Sequence, residues 1–168
     1  MPVGLSSQRA VRPGSAYEAC HARAEPGVGT KIHAGPSAVT KTLTISGENI
    51  VDIPTFYAEI NRVFMAGEDW QLANSLDALD DLLYGGYGAI TGREPVRIVW
   101  QGMAQSRAAL GIEATRAFLS EKMQRPDIFN VTVIGRQLDA LRHGTGQTYF
   151  EIVLEIIGDH RNIELVPA

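Results

Sequence analysis

Three short strand-like segments stand far apart in this chain, and the stretches between them are helical in period or rich in turn residues. KTLTIS, residues 41–46, turns Thr outward and Leu43 and Ile45 inward, the period of two that a strand requires. VRIVW, residues 96–100, follows Pro95 and is an apolar, β-branched run that reads as a buried strand. NIELV, residues 162–166, alternates again. Strands joined through helices run parallel, with right-handed crossovers. The expected fold class is therefore α/β, a small three-stranded parallel sheet covered by helices.

The intervening segments carry the helices. Ser46-Gly47-Glu48-Asn49 is a turn, since Gly and Asn tolerate the angles a reversal needs. Pro54 suits the first turn of a helix, where its missing N–H costs nothing. Phe56, Ile60, Val63 and Phe64 give that helix one apolar stripe, and Gly67 closes it. In SLDALDDLL, residues 75–83, Asn74 or Ser75 can cap, the leucines form the buried side, and Gly85-Gly86 ends the helix. Gln101 to Leu110 reads as a short helix stopped by Gly111, and Glu113 to Met123 as another, ended by Pro126. Gly135 blurs the start of a further helix over Arg136 to Arg142, and HGTGQ, residues 143–147, is a loop. Tyr149, Ile152, Val153, Ile156 and Ile157 then place an apolar face on a last helix that Gly158 ends.

A chain of 168 residues is long enough for one domain with a proper core. Residues 1–40 are rich in Gly, Ala, Pro and Ser without sustained periodicity and read as a disordered N-terminal tail; the domain is expected over 41–168. No basic stretch followed by an apolar run opens the chain and no run approaches a membrane span, so neither a secretory signal nor membrane association is expected. The single cysteine, Cys20, permits no internal disulfide, which fits a reducing compartment and equally a cysteine-poor secreted protein. The net charge of −4 is uneven. Residues 1–40 hold Arg9, Arg12, Arg23 and Lys31 against Glu18 and Glu25, leaving 41–168 at −6. A domain so charged repels nucleic acid and attracts basic partners.

Catalytic chemistry is poorly supplied. His21 and His33 lie in the tail, His143 in a Gly-flanked loop, and His160 after a helix end; each reads as a solvated surface residue rather than a general base. No Cys/His spacing suggests zinc. GGYG and HGTG lack the context and the GK[ST] ending of phosphate loops, Ser75 and Ser106 lack GxSxG, and no cofactor is implied. What stands out is the acidic helix. Asp77 and Asp81 lie four residues apart, where like charges cost a helix roughly 0.2–0.5 kcal/mol, and Asp80 adds a third. Three readings suit such a cluster: a solvated face, a Mg²⁺ site of a hydrolase, or a surface for a basic partner.

The segments TISGENIVDIPTFYAEI, LANSLDALDDLLYGGYG, VRIVWQGMAQSRAALG, and YFEIVLEII followed by NIELV stand in one order along the chain. Together they resemble the barstar family of ribonuclease inhibitors. The first is similar to the family's first strand, turn and helix. The second is similar to its central helix, with the pattern Asn-Leu-Asp-Ala-Leu/Phe-x-Asp-x-Leu and a following glycine. The third resembles the middle strand with its Trp, and the last pair the final helix and strand. The resemblance covers about residues 41–111 and 148–166; residues 112–147 form an enlarged helical and loop segment.

The resemblance implies an intracellular inhibitor, not an enzyme, that lays its acidic helix and the adjoining loop over the cationic active site of a basic, extracellular-type ribonuclease. Carboxylates then take the place of RNA phosphates. It implies that Asp77 and Asp81 are the two inhibitory aspartates, with Asp81 the anchor that pairs with arginine. It likewise implies that Glu155 is the inhibitory glutamate of the last helix and Gly85 the glycine opening the binding loop. Asp80 stands where the family has tryptophan, Ser75 where it has asparagine, and the family's aromatics are displaced to Trp70 and Tyr87. On a helix Asp77, Asp81 and Tyr84 share one exposed stripe with Asp80 at its flank. The free protein is expected to be a monomer. The alternatives are an acidic module for another basic partner and a Mg²⁺-dependent hydrolase.

Overall fold

The computed structural model describes residues 40–168, so the expected tail falls outside the described residues except for Thr40. Three strands, β1 (Lys41–Ser46), β2 (Val96–Gln101) and β3 (Ile163–Pro167), form one parallel sheet in the order β1-β2-β3. Between β1 and β2 lie α1 (Ile53–Phe64) and α2 (Leu76–Leu83); between β2 and β3 lie α3 (Met103–Ala109), α4 (Ile112–Met123), α5 (Val131–Arg142) and α6 (Tyr149–Asp159). The α/β class expected from the strand spacing is what the chain adopts.

Each strand is added on the same side of its predecessor, so right-handed connections carry all the helices to one face of the sheet. Burial follows this. In β2, Val96, Ile98 and Trp100 are buried while Arg97 and Gln101 are exposed. VRIVW is thus not a strand buried on both faces: Arg97 lies on the open face and pairs across it with Glu164 of β3 at 2.9 Å. In register, Leu43, Ile98 and Leu165 line up across the covered face, with Ile45 beside Trp100.

Trp100 is the centre of the core. Its ring stacks on Phe56 of α1 at 6.0 Å between centroids and meets Phe150 of α6 at 5.6 Å. Its indole N–H, which a buried Trp must satisfy, donates to Ser106 Oγ of α3 at 2.9 Å. Tyr57 of α1 and Tyr149 of α6 share a buried hydroxyl–hydroxyl hydrogen bond of 2.8 Å. Burial pushes both phenols above their ordinary pKa, so both act as neutral groups here.

Several boundaries differ from the sequence expectation for local reasons. Helix α1 stops at Phe64, three residues before Gly67, and starts with a capping box in which Asp52 accepts from the Thr55 N–H while Thr55 Oγ1 accepts from the Asp52 N–H. Helix α5 begins five residues before Arg136. Asn130 caps it, its side chain accepting from the Thr132 and Val133 N–H groups, and the helix runs through Gly135, which costs about 1 kcal/mol relative to Ala. Gly158 likewise sits within α6, which ends only at Asp159. The enlarged segment is therefore a helical hairpin, α4 and α5, with Leu119, Ile134 and Leu141 buried in it. Thr115 Oγ1 ties α4 to α6 by accepting from the Tyr149 N–H at 2.7 Å.

Candidate interaction face

Helix α2 is the element on which the predicted site residues converge. Leu79, Leu82 and Leu83 are buried and Leu76 and Ala78 pack partly against the core, which leaves Asp77 and Asp81 as the outward positions of the helix. Asp77 and Asp81 are exposed, and Tyr84, at the helix C-terminus, keeps 54 % of its surface. Ser75 occupies the N-cap position without a side-chain cap bond, so the first-turn N–H groups are left to solvent and to the field of Asp77. Among the described residues, neither the Asp77 nor the Asp81 carboxylate accepts a hydrogen bond or joins an ion pair. Their mutual repulsion is offset by no hydrogen bond or ion pair of either carboxylate among the described residues, although Lys122 and the helix N-terminus lie near Asp77.

Asp80 behaves differently. Its carboxylate faces α6 and is bonded to His160 at the end of that helix, Nε2 to Oδ1 at 2.9 Å. His160 is 6 % exposed, so its expectation as a solvated surface residue is overturned. The Tyr84 ring meets the imidazole edge-on, with centroids 4.6 Å apart. Asp80 thus fastens the acidic helix to α6. Glu155 of α6 is exposed and accepts from the Gln147 side-chain amide at 2.8 Å.

The loop after α2 is closed by glycine geometry. Gly85 has φ of +75°, the left-handed region that ends helices, and its carbonyl accepts from the Gly92 N–H at 2.8 Å. The loop is held from the other side as well. The Gly88 N–H donates to Glu68 at 2.8 Å and the Ala89 N–H to the Phe64 carbonyl at 2.6 Å. This holds Tyr87 against Trp70, their rings 5.0 Å apart and inclined at 60°. The two displaced aromatics of the sequence therefore meet as a pair. Tyr87 is half-buried, its hydroxyl 3.4 Å from the Ala78 carbonyl; burial and, secondarily, the Asp81 charge push its pKa up.

The hairpin adds a cation to this acidic edge, at a position the sequence did not single out. Lys122 of α4 is close enough for the Asp77 charge to oppose the lowering of its pKa by burial. Among the described residues, no three His, Cys, Asp or Glu side chains are gathered as metal ligands, and Asp80 points to His160 instead of converging with Asp77 and Asp81. No helix among them is long and apolar enough to cross a membrane.

No family model matches this chain, and no curated protein does. The chemistry of the face therefore has to be argued from its own residues. It offers two unpaired carboxylates four residues apart, an exposed phenol at the helix end, an aromatic pair on a fixed loop, and a further carboxylate on α6.

Proposed function

We propose that this chain binds the basic active site of a barnase-like ribonuclease through α2 and the Gly85–Gly92 loop, inhibiting it without catalysis of its own. The observation that carries this reading is the pairing of exposure with repulsion at Asp77 and Asp81. A stripe that is unfavourable in isolation becomes favourable opposite guanidinium groups, where charge-assisted hydrogen bonds form. The spacing of the carboxylates on one helix face suits a cleft built for consecutive phosphates. The resemblance of four segments, in the same order, to the barstar family supports the same assignment. In this reading Asp81 is the anchor, Asp77 and Glu155 flank it, and Tyr84, Tyr87 and Trp70 supply apolar contact. A cell that makes such a nuclease requires the inhibitor in its cytoplasm, which is the location we assign.

The test is titration of the full chain into barnase-like ribonucleases while RNA cleavage is followed. Stoichiometric loss of cleavage at submicromolar protein is the expected result, with slower association at high salt because exposed charges are screened. Full cleavage by several such enzymes in the presence of excess protein overturns the reading.

A further inference from the structure

A cavity of about 540 Å³ opens between the start of α1 and the outer side of α4. Its volume lies in the range that holds small molecules, roughly 300–1,000 Å³. The wall is mainly apolar, made by Ile53, Pro54, Ala117, Phe118 and Phe129. Two cations, Lys122 and Arg125, stand in it. The Lys122 ammonium lies 4.2 Å from the Phe118 ring centroid and 5.0 Å from that of Phe129. It is half-buried and, among the described residues, has no ion-pair or hydrogen-bond partner. Aromatic faces compensate a desolvated ammonium only in part. The Asp77 charge opposes the lowering of its pKa by burial without forming an ion pair, so the ammonium still lacks a contacting counter-charge. Of the acids in the wall, Asp52 is committed to the Thr55 N–H and hydroxyl as a helix cap, and Glu121 is exposed.

We propose that this cavity binds a small organic anion with an apolar or aromatic body, its anionic group held by Lys122 and Arg125 and its body laid against Phe118 and Phe129. Lys122 supplies a partly desolvated point charge, for which a carboxylate, sulfonate or phosphate is the natural counter-ion. Arg125 adds a planar fork suited to the same groups. The site lies between the hairpin and the start of α1, and its test does not depend on the ribonuclease reading.

The probe is 8-anilinonaphthalene-1-sulfonate, with the neutral N-phenyl-1-naphthylamine as its uncharged counterpart. Fluorescence titration of the folded chain is expected to show one saturable site that prefers the sulfonate by tenfold or more. Lys122→Gln should remove that preference and Lys122→Arg retain it. Ala117→Trp, a change at an exposed helix position that fills the cavity, should abolish binding of both probes. Near-UV circular dichroism shows that each variant keeps its packed core. Absence of saturable binding overturns the proposal, as does sulfonate affinity unchanged by Lys122→Gln or by Ala117→Trp.

Discussion

His160 donates from Nε2 to the Asp80 carboxylate at 2.9 Å, across the seam between α6 and α2. The direction follows from the partner, because an ionised carboxylate only accepts. The His160 side chain is 5 % exposed and has little access to water in place of this bond, while the Asp80 side chain, 26 % exposed, is partly open to solvent. Truncating the imidazole leaves a half-buried carboxylate without its partner, at a cost of about 1–3 kcal/mol. His160→Ala should lower unfolding free energy by that amount in urea denaturation. A loss below about 0.5 kcal/mol would show that the seam does not depend on this bond.

The same geometry separates the three aspartates in any complex. Asp81 has no side-chain partner among the described residues; in the complex we propose, its removal should leave an arginine of the ribonuclease buried and unpaired, costing about 3–5 kcal/mol of affinity. Asp80 faces His160, so Asp80→Ala should reduce stability more than affinity. Inhibition constants and urea midpoints, measured side by side for both variants, give the split. Equal affinity for Asp81→Ala and the parent would remove Asp81 from the interface.

How far the fold was legible can be judged from particular elements. The parallel sheet was readable because strand period and helical spacing are local signals, and sequential strand order then leaves right-handed connections one face to cover. The exposed stripe of α2 was readable because the positions of its leucines dictate where the aspartates point. His160 was not, since its burial depends on the approach of α2, which lies far away in sequence. The start of α5 had a local sign in Asn130, obscured by Gly135. Lys122 gave no sign at all: its meaning comes from the docking of α4 beside Asp77 and α1.

Glu59 supplies a pH dependence with a definite sign. Its side chain is 2 % exposed and accepts from Arg62 Nε and Nη2, the Ser46 N–H and the Asn49 amide. These partners, Arg62 foremost, hold its pKa down at about 2 against an ordinary 4.5. Between those values the unfolded chain binds the proton and the native chain does not. The contribution, roughly 3 kcal/mol, is thus fully present above pH 4.5 and lost as pH falls toward 2. Glu59→Gln should be less stable at pH 7 and show a flatter stability profile from pH 4.5 to 2. An unchanged slope in that variant would assign the acid sensitivity to other carboxylates.

The two glycines after α2 make different demands, although they are adjacent. Gly85 combines a φ of +75° with a close approach, since a Cβ there would lie 2.6 Å from the Gly92 nitrogen. Gly86 has neither constraint: a Cβ meets nothing within 4 Å. A left-handed backbone alone costs a side chain about 1–2 kcal/mol, and the contact with Gly92 requires the loop to open. Gly85→Ala should therefore destabilise by about 2 kcal/mol or more, while Gly86→Ala stays within about 0.5 kcal/mol of the parent. Because the Gly85–Gly92 closure also holds Tyr87 against Trp70, tryptophan fluorescence should shift in the first variant and not in the second. Matching urea midpoints for the two would mean that the loop accepts a side chain at Gly85 by a rearrangement that leaves Tyr87 in place, and that the glycine is dispensable to the face.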